Sequence, residues 1–255
     1  RRSRWLDEVE ATLSRVLSSS THSPCESFQG QLTPGHHPSP SSDLQRIVVD
    51  ARPYPPEGTE SLALELVSLK DAGWKRFIVI NCRGHRFIGN GFGPDSSGIR
   101  IDVMGAVGDY LGSGNDGMEV HMHGNAQDQV AQIHKSGEIV VHGDVGQCYG
   151  YGAKGGSMFV LGNAAGRPMI NSVGSPKLVI NGTALDYLAE SFMAGDPLDG
   201  GGFVVINGME YNASGELVRL ETPYPGGNLF SLASGGAIYV RDPNCRLSES
   251  QLNGG

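Results

Sequence analysis

The chain contains 255 residues, 38 of them glycine, and carries a formal net charge of −8 at pH 7. The negative charge argues against a surface for nucleic acid or for an anionic membrane, and no apolar run approaches the roughly 18 residues that a membrane span requires. The first residues, RRSRW, lack the apolar segment of a secretory signal, and the four cysteines are far apart with no C-x-x-C pair. These features predict a cytoplasmic protein with reduced thiols.

The N-terminal segment, residues 1–44, combines a helical pattern with a tether. Between residues 4 and 18 the apolar side chains fall on one helical stripe, formed by Trp5, Val9, Leu13, Val16 and Leu17. Residues 19–42 are rich in proline, serine and histidine and cannot bury a core of their own. Two interpretations of the helical arm are open: it docks on a partner subunit, or it lies on its own domain or frays.

Residues 45–75 predict a strand followed by a helix. The strand covers residues 47–49, and the helix covers about 58–72 and ends at Gly73. Three leucines, Leu62, Leu66 and Leu69, would face inward. A solenoid needs something to cover its end, so we expect this unit to be an N-terminal α/β cap.

Residues 76–208 contain a repeat of about twenty residues. One glycine follows each apolar run, in steps of 19, 19, 19 and 20 residues: Gly105, Gly124, Gly143, Gly162 and Gly182. Two columns before these glycines are apolar: Ile101, Val120, Ile139, Met158 and Leu178 at four residues before, and Val103, Met122, Val141, Val160 and Ile180 at two. Small residues stand two positions after each glycine: Val107, Ala126, Val145, Ala164 and Ala184. Apolar positions two residues apart form one buried face of a short strand, and the fixed period is typical of a solenoid.

The repeat predicts an all-β fold, a right-handed parallel β-helix with 19–20 residues per coil. Each repeat glycine would turn the chain through a positive φ or through close backbone contact. A leucine-rich repeat is the weaker alternative, because its L-x-x-L-x-L-x-x-N pattern is missing. After residue 195 the period slips: residues 203–208 repeat the strand and corner, and residues 209–255 hold an insertion (209–227), a last strand at 237–240 and a tail that we expect to be irregular.

Four stretches of the coils resemble a known family. They read GNAQD at 124–128, IVVHGDVG at 139–146, GYGAKGG at 150–156 and YLAESFMAG at 187–195. Over about residues 47–208 the chain resembles the GXGXG family of β-helices. This family includes the C-terminal domain of glutamate synthase large subunits, stand-alone glutamate synthase subunits and the β-helical subunit of formylmethanofuran dehydrogenase.

The resemblance implies a non-catalytic structural subunit of a glutamate synthase-type complex. It implies no cofactor, metal or catalytic residue in this chain, and partner subunits that carry FMN and Fe–S clusters. Three alternatives are open: a scaffold of a formylmethanofuran dehydrogenase or related redox complex, a self-contained β-helix enzyme, and a general interaction scaffold.

Some residues invite a chemical interpretation. His123 and His142 occupy one column and should stack about 4.8 Å apart, with His121 on the same face. Three imidazoles could hold a metal, but a straight ladder suits tetrahedral ligation poorly and no carboxylate column accompanies them. The recurring aspartates Asp109, Asp128 and Asp186 are better explained as side chains that bond the corner backbone. The glycines at 89–93 precede no apolar helix, which disfavours a dinucleotide site.

The outward positions of the coils predict an interface. Val140, Phe159, Leu161 and Val179 make an apolar patch across three coils, and His123 and His142 lie beside it. Contiguous apolar patches on soluble proteins mark interaction sites, so we expect a partner to bind there. The alternative is that the N-terminal helix folds back through Trp5 and Leu13 to cover the patch.

Overall fold

The computed structural model describes residues 2–19, 35, 37–41, 46–94 and 96–253. Most of the predicted tether lies outside the described residues, as do Cys25 and the side chain of Leu17. The described residues hold two helices, α1 (Arg2–Ser19) and α2 (Leu62–Asp71). The strands are β1 (Arg46–Asp50), β2 (Arg76–His85), β3 (Arg100–Val107), β4 (Asp116–Met122), β5 (Ser136–Val141), β6 (Ser157–Val160), β7 (Lys177–Ile180), β8 (Phe203–Ile206), β9 (Met209–Tyr211), β10 (Leu217–Arg219) and β11 (Ala237–Val240).

The described strands form one long parallel sheet and one short hairpin. The long sheet has nine strands in the order β1-β2-β3-β4-β5-β6-β7-β8-β11, and β9 pairs antiparallel with β10. Neighbours in the order are neighbours in sequence, apart from the hairpin inserted before β11. The chain therefore adds one strand per coil, and the predicted parallel β-helix is confirmed.

The two predicted apolar columns line the inside of the coils. Ile101 pairs with Val120, Val120 with Ile139, and the same register continues through Met158 to Leu178. Every member of both columns is at most 2% exposed. The sequence pattern was sufficient here because inward and outward side chains alternate strictly along a strand.

The corner after each strand is tight because consecutive coils nearly touch. A Cβ built on Gly124 would lie 2.6 Å from the carbonyl oxygen of Gly105, and one built on Gly182 would lie 2.6 Å from that of Gly162. A positive φ, 101°, occurs only at Gly105 among the five repeat glycines. Of the two predicted reasons for glycine at the corners, close backbone contact is therefore the general one. The small residues that follow bridge from coil to coil and are buried: Val107, Ala126, Val145, Ala164 and Ala184.

Two side-chain ladders tie the corners together. Directly after the repeat glycines, the Asn125 side-chain oxygen accepts from Asp144 N at 2.9 Å, and the Asp144 carboxylate accepts from Asn163 N at 2.7 Å. The aspartates of the second ladder act likewise: Asp128 accepts from Gln147 N at 2.8 Å. The backbone-bonding role of the aspartates is confirmed, with the refinement that each reaches the next coil rather than its own.

The side of each coil that follows the corner has an unusual backbone. Three residues at alternate positions adopt positive φ, and this recurs down the stack: 87, 89 and 91; 110, 112 and 114; 129, 131 and 133; 148, 150 and 152; 167, 169 and 171; 187, 189 and 191; 228, 230 and 232. We call this side the left-handed edge. Its amides bond alternately to the two neighbouring coils: Gln129 N donates to Gln147 O at 2.8 Å, and Ala131 N donates to Leu111 O at 2.9 Å. This feature was not predicted from the sequence.

The predicted cap covers the first coil. Strand β1 pairs in parallel with β2, and the three inward leucines of α2 are fully buried in a core that is continuous with the coils. Helix α2 begins at Leu62 rather than near residue 58, because residues 58–61 form a turn. Its last helical residue is Asp71, and the chain leaves the helix at Gly73 as predicted: φ there is 106°, Gly73 N donates to Lys70 O and Trp74 N donates to Leu69 O.

The described part of the C-terminal tail is irregular as predicted, apart from one short helical turn. A 3₁₀ turn at Glu249–Gln251 brings the tail against the last coil, where Leu229 N donates to Gln251 O at 2.8 Å. The Gln251 side chain also donates to the carbonyl oxygens of Tyr224 and Gly226. These side-chain bonds have no periodic signal, so the polar composition alone could not predict them.

Candidate partner-binding face

The outward side of the nine-stranded sheet is an ordered array of side chains. In-register pairing aligns the outward residues at the middle of each strand into one central column: Val48, Ile78, Asp102, His121, Val140, Phe159, Val179, Val205 and Tyr239. The column is apolar at both ends of the stack and polar at β3 and β4. The outward face therefore has three zones, which differ in what covers them.

The predicted patch lies in a zone that the described residues leave open to solvent. Phe159 is 36% exposed, and Val140, Leu161 and Val179 are half-buried on the outward face. Two further strands extend the patch, through Val205 and through Tyr239, which is 49% exposed. We define the apolar strip by these residues and their neighbour Phe203, whose ring lies 6.2 Å from that of Tyr239. This extension was not predicted, because the period of the repeat slips after residue 195.

The three histidines form a cluster beside the apolar strip. The ring centroids of His123 and His142 lie 4.8 Å apart with a 13° angle between their planes, as the ladder predicts. His121 lies 5.8 Å from His142 on the same face. The structure adds one carboxylate contact beside the ladder: Asp102 Oδ1 lies 2.9 Å from His123 Nε2. Asp102 was not predicted to contact His123 because the two residues belong to different columns: Asp102 stands three residues before its repeat glycine, and His123 stands one residue before the glycine of the next coil.

The histidine cluster has a defined electrostatic state. Arg100 donates to both oxygens of Asp102, at 2.8 and 3.0 Å. Burial alone would raise the pKa of Asp102, but the bonds from His123 and Arg100 outweigh it and hold the pKa well below its usual value. Burial, assisted by the positive charge of Arg100, lowers the pKa of His121. The cluster thus combines a fixed carboxylate with an imidazole that favours its neutral form.

Helix α1 covers the opposite end of the outward face. Leu13 packs against Val48 and Ile80 of the first two strands. Asn81 N donates to the carboxylate of Glu10, and the Asn81 side chain donates to Ser14 Oγ at 3.1 Å. The arm therefore lies on its own domain, which was one of the two interpretations. Leu13 packs about four strands away from Phe159, so this contact does not cover the predicted patch.

The other candidate groups are engaged in holding the fold. Within the described residues, no cluster of three or more His, Cys, Asp or Glu side chains is arranged to hold a metal ion. Of the glycines at 89–93, Gly89 and Gly91 belong to the left-handed edge, where Gly112 N donates to Ile88 O. Cys82, Cys148 and Cys245 are free thiols, and burial raises the pKa of Cys82 and Cys148, which lowers their reactivity.

Comparison with known proteins agrees with this architecture. A family model described as the GXGXG motif matches residues 78–254. The chain belongs to the GXGXG family. Membership is consistent with a glutamate synthase-related domain. No curated protein and no solved structure matches the chain, and no helix in the described part of this GXGXG protein is long and apolar enough to cross a membrane.

Proposed function

We propose that the chain is a non-catalytic structural subunit of a glutamate synthase-type complex, and that the apolar strip binds the catalytic subunits. The supporting observation is the strip itself, which runs over adjacent strands β5, β6, β7, β8 and β11 on the outward face. Its side chains point away from a core that is already packed. Large contiguous apolar patches on soluble proteins mark interaction sites, because covering them releases water from apolar surface.

The same face offers an internal example of how it is covered. At the other end of the sheet, α1 places Leu13 on Val48 and Ile80, and Ile78 and Met104 join that small cluster. The apolar strip has similar chemistry at the same positions of later coils. An apolar surface of a catalytic partner, contributed by a helix or loop, would bury the strip as α1 buries its own zone.

The redox chemistry would belong to the partners. FMN and Fe–S clusters would be held by the catalytic subunits, and this chain would position those subunits relative to each other. The engagement of the corner aspartates with backbone amides supports a structural rather than a catalytic role for them. The outward face is then the surface through which this chain would position its partners.

The proposal is tested by placing a charge on the apolar strip and measuring assembly with the catalytic subunits. Phe159→Glu should leave the coil stack folded, because the side chain points outward and is already 36% exposed. Burying the new carboxylate against a partner costs several kcal/mol. We therefore expect the affinity for the catalytic subunits, as measured by co-purification, to fall by about a hundred-fold. Leu198→Glu is the matched control, since Leu198 is 90% exposed and lies outside the strip.

The outcomes separate fold from assembly. Circular dichroism of Phe159→Glu that shows lost structure would mean that this residue belongs to the core. Unchanged assembly of Phe159→Glu, or equal weakening by Leu198→Glu, would remove the strip as the binding surface. Mass spectrometry of the co-purified chains identifies the complex, and bound flavin or iron in the chain purified alone would contradict the assignment of cofactors to the partners.

A further inference from the structure

Three arginines stand one above another at the start of the first three strands. Arg46 of β1 pairs in register with Arg76 of β2, and Arg76 pairs with Arg100 of β3. Each lies one position before an inward core residue, so all three belong to the outward face. Adjacent strands are about 4.8 Å apart, so the three cationic side chains start within about 10 Å of one another.

The three arginines differ in how their charge is compensated. Arg100 is neutralised by Asp102, through the two bonds described above, and by Glu119 at 3.4 Å. Within the described part of the chain, neither Arg46 nor Arg76 makes a hydrogen bond or ion pair with a carboxylate. Two adjacent cations without a carboxylate partner among the described residues are unexpected in a chain of net charge −8.

A cavity opens between these side chains. Its volume is about 180 Å³, and the described residues that line it are Arg46, Arg76, Arg100, Phe77, Ile78 and Asp102. Among the described lining residues, Asp102 alone carries a carboxylate, and that carboxylate is already bonded to Arg100 and His123. The hydrogen-bonding groups left available to a ligand in the cavity are therefore the guanidinium N–H donors of Arg46 and Arg76.

We propose that this cavity binds a small oxyanion, either a phosphate group or a short dicarboxylate, between Arg46 and Arg76. A guanidinium presents a rigid fork of donors that matches phosphate and carboxylate oxygens, and such charge-assisted bonds are the strong ones. A volume of about 180 Å³ is smaller than the roughly 300–1,000 Å³ of pockets for larger organic ligands, which favours a small anion. The site is distinct from the apolar strip and does not depend on the proposed function.

Calorimetric titration of the full chain tests the site. Sodium phosphate and sodium succinate are titrated separately, with ionic strength held constant by NaCl so that screening does not change. We expect saturable binding of at least one anion with a dissociation constant in the millimolar range. Arg76→Gln should weaken that binding by about ten-fold or more. Lys177→Gln is the matched control, because Lys177 occupies the same outward column on β7 and should bind like the unmodified chain.

Each outcome decides the proposal. Saturation by phosphate alone identifies a phosphate site, and saturation by succinate alone identifies a carboxylate site. The absence of saturable binding for both anions overturns the proposal, and so does equal weakening by Lys177→Gln, which would indicate diffuse charge attraction. If circular dichroism shows that Arg76→Gln is unfolded, Arg46→Gln replaces it, because Arg46 is exposed.

Discussion

The sheet side and the left-handed edge of each coil stack on their neighbours by different physical rules. On the sheet side, ordinary extended strands pair in register, and specificity comes from apolar side chains that must point inward. On the left-handed edge, backbone amides alternate between the two neighbouring coils, and residues as different as Gly112, Gln129 and Arg167 adopt the same left-handed backbone. The sheet side is therefore constrained by side-chain burial, whereas the edge is constrained by backbone conformation.

The largest expected effect comes from breaking the burial rule on the sheet side. Val141 is fully buried, and its neighbour Val140 is half-buried on the outward face. Val141→Asp would bury an unpaired carboxylate at a cost of several kcal/mol, which is comparable to the stability of a whole domain. We expect Val141→Asp to abolish soluble expression.

Val140→Asp is the matched control for that experiment. The same change one residue earlier should give a folded protein, because its carboxylate reaches solvent. Urea unfolding and circular dichroism measure both variants. A well-folded Val141→Asp protein, or two variants with the same loss of stability, would contradict the register of the sheet.

A buried histidine makes the free energy of unfolding depend on pH, which gives a second test of burial inside the coils. His134 is fully buried where the left-handed edge returns to the sheet. Burial outweighs the contact with the backbone of Gly137 and lowers its pKa from 6.5 to about 4. Below pH 6.5 the unfolded chain therefore binds a proton that the folded chain rejects. The free energy of unfolding should fall between pH 6.5 and pH 4, by roughly 3 kcal/mol at the lower end, and should not change from this group above pH 6.5.

Two histidine variants isolate this contribution. His134→Asn places an amide where Asn115 stands one coil earlier, and the Asn115 side chain bonds both the N–H and the carbonyl of Met118. We expect His134→Asn to lose most of the pH dependence between 6.5 and 4. His121→Asn should lose less, since burial lowers the pKa of His121 in the same direction but His121 lies on the outward face. An unchanged pH dependence in His134→Asn would show that other groups control it.

The same contrast explains how much of the molecule could be predicted from sequence. The inward columns, the corner residues and the histidine ladder have a period, so their positions followed from counting. The left-handed edge was missed because its regularity is in φ rather than in residue type: the coil at residues 129–133 reads Gln-Val-Ala-Gln-Ile, without a glycine. The extension of the apolar strip was missed because the period slips after residue 195, and because the hairpin β9–β10 then interrupts the count before Tyr239.

The smallest expected effect tests the backbone rule on the edge. Leu232 is 72% exposed and has a φ of 55°, so its side chain packs little while its backbone is strained. The left-handed conformation costs a non-glycine residue about 1–2 kcal/mol, and glycine adds an entropic cost of about 0.5–1 kcal/mol. Leu232→Gly should therefore stabilise the protein by about 0.5 kcal/mol, a net of these two terms.

Leu198→Gly is the control for the last comparison, because Leu198 is 90% exposed and lies in a 3₁₀ turn outside the left-handed edge. Without strain to relieve, only the entropic cost of glycine remains, so this variant should be destabilised by about 0.5–1 kcal/mol. Paired urea unfolding curves with equal m-values resolve the opposite signs. If both variants lose stability equally, the left-handed residues of the edge carry no strain. The alternating hydrogen bonds to the neighbouring coils would then set the conformation of the edge without a free-energy cost for residues that have side chains.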